Sequence, residues 1–491
     1  MRIAAFAFLA LMPAAAAAQQ PAHAPVRLTL PDAIQRALHS GNDVRIAEAG
    51  VRQAEGLVTQ AWSTALPEIR ANLTYQRTFA SVFDMRSSGP TLGPFSPDTL
   101  ASDAARIRYL EQEYPNAVAR GIGGLFTDLP FGRPNTYIAT LTFSQTLFQG
   151  GKIGAGIIGA RAYEQAARAQ LDETRRDVTY RVTQAYLNAL YAARIVDITE
   201  ASQVQVNDQL HRVALNHQVG SSADYDLLRA QVEAANQEPL VIAARNSRDL
   251  ALLEVRRIVN IPVDQPIELA SGMLVTPADS LPRVDFAALD LDAAGRAAIE
   301  AARATVEFRR QAVRVYHGDY YPSLKLTSSY GGQAYPLGTF PKGGDFRRDW
   351  SASLVFSLPL FDGLKTHGAV VQAQAELARA EAQLSQTRSG VALEIEQARA
   401  EIARAQALVA ARHVTVGWAE RAQHLASVRY ANGIATALEV SDARLALEQA
   451  SVNEAQATRD YLLALAAMER ALGHPVPLMQ AGSRVAEGGR E

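Results

Sequence analysis

The sequence contains no cysteine among its 491 residues. This absence excludes disulfide bridges, thiolate metal ligands, a catalytic cysteine and an acylated N-terminal cysteine as a lipid anchor. The charges are almost balanced, with a net charge of −2 and no block of one sign. Proteins that bind nucleic acid need positive charge to neutralise phosphates, so we expect no nucleic-acid partner.

Long hydrophobic runs are also missing. The one early apolar run, residues 3–12, follows Arg2 and precedes a string of small residues that ends at Ala18. A basic start, a short apolar stretch and an A-x-A end are typical of a secretory signal, which we predict over residues 1–18. A membrane-spanning helix needs about 20 apolar residues, and no later stretch provides them. If the mature chain enters a membrane, it must do so as β-strands.

What the chain does contain is an internal repeat. Leu147-Phe148-Gln149-Gly150 matches Leu360-Phe361-Asp362-Gly363 at an offset of 213 residues, and the same offset pairs Gly220 with Gly433. An offset that stays constant over such a distance predicts two copies of one structural unit. Each copy has the same order of predicted elements: helix, strand, loop, strand, very long helix, tight turn and helix.

These patterns divide the chain into a first repeat at 19–265, a linker at 266–284, a second repeat at 285–477 and a flexible tail at 478–491. In the first repeat we predict strands at about 69–79 and 136–148, and helices at about 42–65, 151–218 and 223–259. In the second repeat we predict strands at about 324–335 and 349–361, and helices at about 292–318, 363–431 and 436–472.

The predicted strands alternate between an apolar and a polar face. Ile69, Leu73 and Tyr75 lie on one face, whereas Thr140 and Thr142 represent the polar face of the next strand. This pattern favours the wall of a water-filled barrel, with a half-buried sheet in a soluble sandwich as the alternative. Four strands cannot close a barrel, and open edges in lipid leave backbone groups unpaired, so several chains must share it. Two chains would reach the minimum of about 8 strands, and three would give twelve.

The predicted long helices start near Gly154 and His367 and would each extend for roughly 95 Å. The returning helix of the second copy carries alanine at strict intervals of seven. The members of this seam are Ala443, Ala450, Ala457, Ala464 and Ala471. Small residues at every second turn let helices approach closely, as in a wall of coiled-coil helices. The alternative, an ordinary coiled-coil dimer, would not account for the predicted strands.

Together these features resemble the TolC family of outer-membrane efflux proteins, along nearly all of the mature length. The resemblance is carried by the opening segment Leu28–Ala33, the two Leu-Phe-x-Gly motifs, and Arg429–Val440 with its copy around Val219-Gly220. It implies a mostly α-helical fold with a membrane β-barrel portion. Four strands from each protomer of a homotrimer would form a shared twelve-stranded barrel in the outer membrane, continuing as a helical tunnel into the periplasm.

The same resemblance implies a passive exit duct for small molecules such as drugs, as the outer-membrane component of a tripartite efflux system. Its implied partners are a periplasmic membrane-fusion adaptor, an inner-membrane pump of the resistance-nodulation-division type, and outer-membrane lipid. Type I protein secretion and metal-ion export are alternatives within the class. A periplasmic coiled-coil scaffold or adaptor is the alternative from another class. We expect no enzymatic activity, no metal site and no cofactor.

The resemblance also implies a gate where the helices turn in the periplasm. The implied gate residues are Asp226, Tyr430, Glu439 and Asp442. The tips implied to contact the adaptor are Val219, Gly220, Ser221, Asn432, Gly433 and Ile434. The family pattern has an arginine at the position of Ala435, which leaves Arg229 and Arg429 as its possible replacements. The alternative is that these are solvated charges at helix ends. Asp224 or Thr436 is expected to cap the returning helix.

Glycine is prominent in two further segments. Gly154-x-Gly156-x-x-Gly159 superficially fits a dinucleotide fingerprint, but its strand alternates and no parallel strand follows soon, so we interpret the glycines as easing a strand-to-helix junction.

Residues 80–133 account for the extra length of the first copy, which has about 42 more residues between its two strands than the second copy has. This segment is rich in proline and glycine and predicts an extracellular loop that constricts the mouth or serves as a receptor surface.

Overall fold

The computed structural model describes residues 25–80, 101–127, 133–270, 281–284, 295–336, 338–476 and 478–479. The predicted signal sequence and most of the predicted tail lie outside these residues. The chain forms two compact units. We call Met1–Ala54, Tyr163–Val306 and Arg379–Glu491 the helical unit, and Glu55–Ala162 with Glu307–Ala378 the strand unit.

The described elements follow one another in a mixed order along the chain. They are β1 (Val26–Leu28), α1 (Leu30–Ser40), α2 (Asn42–Ser63), β2 (Glu68–Arg77), α3 (Asp103–Thr127), β3 (Asn135–Gln149), α4 (Lys152–Gln218), α5 (Asp224–Val259), β4 (Ile267–Leu269), β5 (Arg283–Val284), α6 (Ala297–His317), β6 (Ser323–Ala334), β7 (Phe346–Ser357), α7 (Lys365–Ala431), α8 (Ala437–Leu472) and β8 (Leu478–Met479).

The repeat seen in the sequence recurs in the helices with the same offset. Helices α4 and α7 each have 67 residues, and α5 and α8 each have 36. The shorter helices of both copies end at a residue in the left-handed conformation, Asn260 with φ 57° and Gly473 with φ 80°. Among the described helices, none is both long and apolar enough to cross a membrane.

The strand unit contains an antiparallel sheet in the order β2-β3-β6-β7. Its register places Leu141 between Ala71 and Tyr330, and Tyr330 in turn opposite Trp350. Side chains of paired residues lie on the same face of a sheet, so the apolar sets of all four strands share one face. Among the described strands, β2 and β7 each have one partner within the chain. The sheet of a single chain is therefore open at both edges.

A bulge near the end of β3 changes which side chains of that strand lie on the apolar face. Thr146 pairs with Lys325 and Phe148 pairs with Leu324, so Leu147 is an extra residue without a partner on β6. An extra residue reverses the alternation of a strand. The bulge therefore brings Phe148 onto the apolar face beside Leu324.

The junction between β3 and α4 depends on glycines other than those expected. Gly150 and Gly151 have φ values of 54° and 77°. A Cβ atom on Gly150 would lie 2.3 Å from the carbonyl oxygen of Gly318, so the backbones approach too closely for any side chain there. Gly154 and Gly156 instead lie inside α4, where a Cβ would meet nothing within 4 Å. Our interpretation that they ease the junction is therefore wrong.

The segment that we expected to be a loop contains a helix, α3, within residues 80–133. The last part of α3 contains Pro115 and three glycines, whereas residues 103–114 contain neither residue type and carry apolar side chains three or four positions apart. This stretch satisfies the helical period on its own, which the composition of the whole segment concealed. The structure also adds α1, which begins with Thr29 as its cap and Pro31 in its first turn.

The core of the helical unit forms around the returning helices. In the second copy, Ala450, Ala457, Ala464 and Ala471 of α8 are buried, as the seam of small residues predicts. Ala457, Ala464 and Ala471 pack in a cluster with Tyr461, Met468 and residues of α7. In the first copy, Tyr186 of α4 is almost fully buried, and its hydroxyl donates to the carbonyl oxygens of Leu28 and Ala270 at 3.0 and 3.2 Å.

A buried charge cluster joins three elements of the helical unit. Arg296, which is 3% exposed, precedes α6 and contacts Glu173 of α4 at 3.1 Å and Glu394 of α7 at 2.6 Å. Burial by itself would lower the pKa of Arg296, but its hydrogen bonds to both carboxylates and their charges outweigh burial and raise that pKa. The arginine therefore stays charged and holds α4 and α7 to the start of α6.

Replacing Arg296 with alanine should destabilise the helical unit strongly, because Glu173 would keep a buried charge without a cation. Breaking a buried pair in this way costs about 3–5 kcal/mol. The measurement is the midpoint of thermal unfolding of the purified full chain, followed by its helical circular dichroism. Arg404→Ala is the matched control, because Arg404 pairs with Glu401 at the exposed surface of α7. Equal midpoints for the two variants would contradict the assignment.

Candidate gate at the helix tips

Both long helices end in the same kind of turn. Gly220 and Gly433 have φ values of 76° and 72°. In each turn the next N–H reaches back over five residues, from Ser221 to the Asn216 carbonyl at 2.8 Å and from Ile434 to the Arg429 carbonyl at 2.9 Å. This pattern closes the carbonyls at a helix end and needs a left-handed residue, for which glycine carries no penalty.

The two returning helices start differently. The Thr436 side chain accepts a hydrogen bond from the Glu439 N–H at 3.3 Å, and the Glu439 carboxylate accepts one from the Thr436 N–H at 3.4 Å. This reciprocal capping box satisfies two N–H groups at the start of α8. At α5 the cap position is Ala223, which has no side-chain acceptor. Asp224 already belongs to the helix, so the expectation that it caps α5 is wrong.

Asp224 instead contacts His217 across the turn at Gly220. One of its carboxylate oxygens lies 2.6 Å from Nε2 of His217, in the last turn of α4. The pair spans the turn at Gly220 from one helix to the next. Asp224 is almost fully solvated, so the contact is a weak one.

The turn at Gly433 has its own ion pair, which involves one of the two arginines that could replace the arginine missing at Ala435. Arg429 Nη1 lies 3.6 Å from Glu439 Oε2, with both side chains about half exposed. Arg229 instead pairs with Glu233 at 3.2 Å within its own helix α5. Of the two possible replacements, Arg429 is the one that contacts an implied gate carboxylate within the chain.

The other implied gate residues lie apart from these pairs. Asp442 is exposed and Asp226 half-buried. Among the described residues, neither carboxylate has an arginine, lysine or histidine nitrogen within 4.0 Å. Tyr430 lines a cavity of about 400 Å³, together with Arg212 and Val440. The single chain therefore does not bring the four residues into one cluster.

The tips themselves present apolar side chains to the surface. Val219 is 77% exposed and Ile434 is 68% exposed. Ser221 and Asn432 use their side chains locally, donating to the carbonyl oxygens of Asn216 and Val428. Exposed apolar residues beside rigid turns are suited to contact with a partner.

The structure also shows a polar contact that sequence reasoning missed. Arg444 of α8 is 8% exposed and contacts Ser202 of α4 at 2.5 Å and Glu448 at 3.2 Å. The hydroxyl of Ser202 in turn donates to Glu448 at 2.6 Å. The i,i+4 spacing of Arg444 and Glu448 suggests only a solvated surface pair. Nothing in the sequence indicates that α4 covers it.

A second contact of this kind links α5 to α8. One carboxylate oxygen of Glu233 accepts hydrogen bonds from Arg229 at 3.2 Å and from Ser441 at 2.9 Å. Together the two contacts connect the helix hairpin of the first copy to that of the second, close behind the turns. Among the described residues, there is no group of three or more side chains suited to hold a metal ion.

Comparison with known proteins agrees with this architecture. The protein-family model described as "Outer membrane efflux protein" matches residues 127–260 and 289–474. The chain therefore belongs to the outer membrane efflux protein family, as its motifs predict.

Relatives and solved structures extend over most of the chain. It is 25% identical to the outer membrane protein TolC of Escherichia coli over 411 residues, which cover 79% of this chain and 80% of TolC. It is also 25% identical to the alkaline protease secretion protein AprF of Pseudomonas aeruginosa over 338 residues, 68% of each chain. The crystal structure of the outer membrane protein VceC from Vibrio cholerae has a TM-score of 0.68 at 20% identity, covering 91% of this chain and 96% of VceC.

These findings confirm the family, the fold class and the location inferred from the sequence. The protein is an outer-membrane channel of the efflux type that extends into the periplasm. The members of its family are channel proteins rather than enzymes.

The left-handed conformation at the two turns can be tested by substitution. Gly220→Ala and Gly433→Ala should each destabilise the protein by about 1 kcal/mol, although a Cβ would meet nothing within 4 Å at either site. The cost arises from φ alone, so asparagine should be tolerated better. Gly417→Ala, inside α7 and equally unobstructed, should instead stabilise by up to about 1 kcal/mol. Thermal unfolding in detergent measures all of these variants, and a stable alanine at both turns would refute the assignment.

Proposed function

We propose that three copies of this chain form a passive exit duct that is closed at its periplasmic helix tips and opens when an adaptor and an inner-membrane pump engage it. The open edges of the sheet support assembly from several copies, and the number three is the one that the family resemblance implies. A sheet edge in lipid leaves N–H and C=O groups unpaired, and each unpaired group costs several kcal/mol. Pairing β7 of one copy with β2 of the next would remove every edge and give a barrel of twelve strands.

Topology sets the orientation of this duct. Along the chain β3 is followed by α4 after two residues and β7 by α7 after seven, whereas the β2–β3 and β6–β7 connections lie at the other ends of these strands. With the helices in the periplasm, the end near Arg77 and Phe346 faces the cell exterior. We infer that the turns at Gly220 and Gly433, which end the two helices of 67 residues, are the periplasmic tips that the family resemblance implies.

The observation that carries the gate is the ion pair of Arg429 with Glu439 across the second turn. Its separation of 3.6 Å and its half-exposed side chains make it worth up to about 1 kcal/mol in each copy, and we assign to it a contribution to the closed state. Asp226 and Asp442 have no cation partner among the described residues of one chain. In a ring of three chains they are available to cations of a neighbouring copy, and this is the role that we assign to them.

The conductance of single channels in a planar bilayer tests the gate. Glu439→Gln keeps an acceptor for the capping box but removes the charge that faces Arg429. It should raise the open probability by roughly fivefold for each copy that loses about 1 kcal/mol, and every copy of the trimer carries the change. Arg429→Gln should act in the same direction, and Asp226→Asn should do so if its partner is on another copy.

Two controls separate gating from other effects. Glu401→Gln removes an exposed carboxylate of α7 that pairs within its own helix and should leave conductance unchanged. Thr436→Ala removes the cap without removing a charge. A rise in conductance that Thr436→Ala reproduces in full would assign the effect to the helix start and would exclude a gate at the ion pair. No conductance from intact trimers of any variant would refute the duct itself.

For the cargo we propose small molecules such as drugs, delivered by a pump of the resistance-nodulation-division type. Export of a protein is the second candidate, because the relative AprF is named for secretion of alkaline protease. A periplasmic scaffold without a barrel would not account for the four-stranded sheet and its apolar face.

Deletion of the chain from its host distinguishes these cargoes. Loss of a drug duct should lower the inhibitory concentrations of several unrelated antibiotics and dyes severalfold, with no protein missing from the culture medium. Loss of a secretion duct should instead remove one or a few proteins from the medium and leave drug susceptibility unchanged. Expression of the wild-type chain in the deletion strain is the control for both readouts.

A further inference from the structure

Two arginines lie on the apolar face of the sheet, near the end that carries the strand connections. Arg348 of β7 pairs with Gly332, and Gly332 pairs with Ala139, both on that face. Arg77 ends β2, two residues beyond Tyr75, and pairs with Asn135. Arg347, the neighbour of Arg348, lies on the opposite, polar face of the same strand. Among the described strands, these two arginines are the charged residues on a face that is mostly apolar.

Aromatic residues show where along the face these arginines lie. Trp350 and Tyr330 are paired on β7 and β6, and the rings of Tyr75 and Tyr137 lie 4.8 Å apart on β2 and β3. Aromatic side chains form girdles at both membrane interfaces of a barrel, where charged residues on the lipid face are tolerated far better than at mid-bilayer. Arg348 is within this girdle, because it stands two residues before Trp350.

Both guanidinium groups are exposed and lack a carboxylate. Among the described residues, neither Arg77 nor Arg348 forms an ion pair, and Arg77 lies 5.7 Å from the ring centre of Phe79. Arg70, on the polar face of β2, shows the contrast, because it pairs with Glu68 at 2.5 Å. The lipid face thus carries cations whose charge the described residues do not neutralise.

We propose that Arg348 and Arg77 bind the phosphate of a lipid headgroup at the outer surface of the membrane. A guanidinium group donates two parallel hydrogen bonds to phosphate oxygens, a geometry that lysine cannot supply. The neighbouring aromatic rings provide the apolar contact for the rest of the lipid. The ligand is a phosphorylated lipid, because the site faces away from the lumen and from any dissolved anion inside the duct.

The site is completed between copies, and in this respect it rests on the trimeric barrel proposed above. Strands β7 and β2 are the two edges of the sheet, so closure places the strand of Arg348 beside the strand of Arg77 from the next copy. Each of the three seams would then carry arginines from both of its strands. A bound phosphate would hold the seam together from the lipid side.

The test uses the purified full chain in detergent and native mass spectrometry. Lipid A with two phosphates is compared with the same lipid after removal of its phosphates. The wild-type trimer should retain the phosphorylated form preferentially. Arg348→Gln and Arg77→Gln should each lower that retention about fivefold. Arg347→Gln is the matched control, since it removes the same charge one residue away on the polar face, and it should change nothing.

Several results would overturn the proposal. Equal retention of lipid with and without phosphates would show that no phosphate is recognised, and an equal loss in Arg347→Gln would show a general effect of charge. Release of the lipid by millimolar inorganic phosphate would identify a site for the free anion. The trimer and its conductance are recorded on the same samples. Loss of the wild-type trimer would refute the proposed duct, whereas intact trimers without phosphate preference would refute only the lipid site.

Discussion

Backbone hydrogen bonding is the constraint from which the rest of the molecule follows. Within lipid, an N–H or C=O group without a partner costs several kcal/mol, so a sheet that enters a membrane must lose its edges. This chain contributes a sheet of four strands whose outer members, β2 and β7, each have one partner in the part of the chain that the structure describes. A structure of this kind is complete only when other copies supply the missing partners.

The internal repeat supplies the strands of this sheet as two similar hairpins. Each copy contributes two strands to the sheet, and the long helix and the returning helix that follow them have the same lengths in both copies. Because the two hairpins use the same register and the same faces, the apolar face continues across all four strands from β2 to β7. The bulge at Leu147 extends this face, because it returns Phe148 to the apolar side near the end of β3.

Long helices with few large side chains need other means of holding their positions. Alanine at every second turn of α8 allows close approach, but small residues specify the sliding register of a helix only weakly. Polar contacts supply that specificity at defined points, through Arg296 between α4 and α7 and through Arg444 between α8 and α4. Both arginines are buried and paired, so a shift of either helix by one turn would leave a charge without its partner.

The sequence by itself determined the repeat, the alternation of the strands, the glycine turns and the family, because each of these is a local or periodic signal. It also indicated Thr436 as a cap through its own side chain. Only the tertiary structure decided that Arg429 faces Glu439, that Ser202 covers Arg444, and that Gly150 lies against Gly318. Those contacts join residues distant in the chain or on opposite sides of a turn, and a linear pattern does not specify which side chains packing brings together.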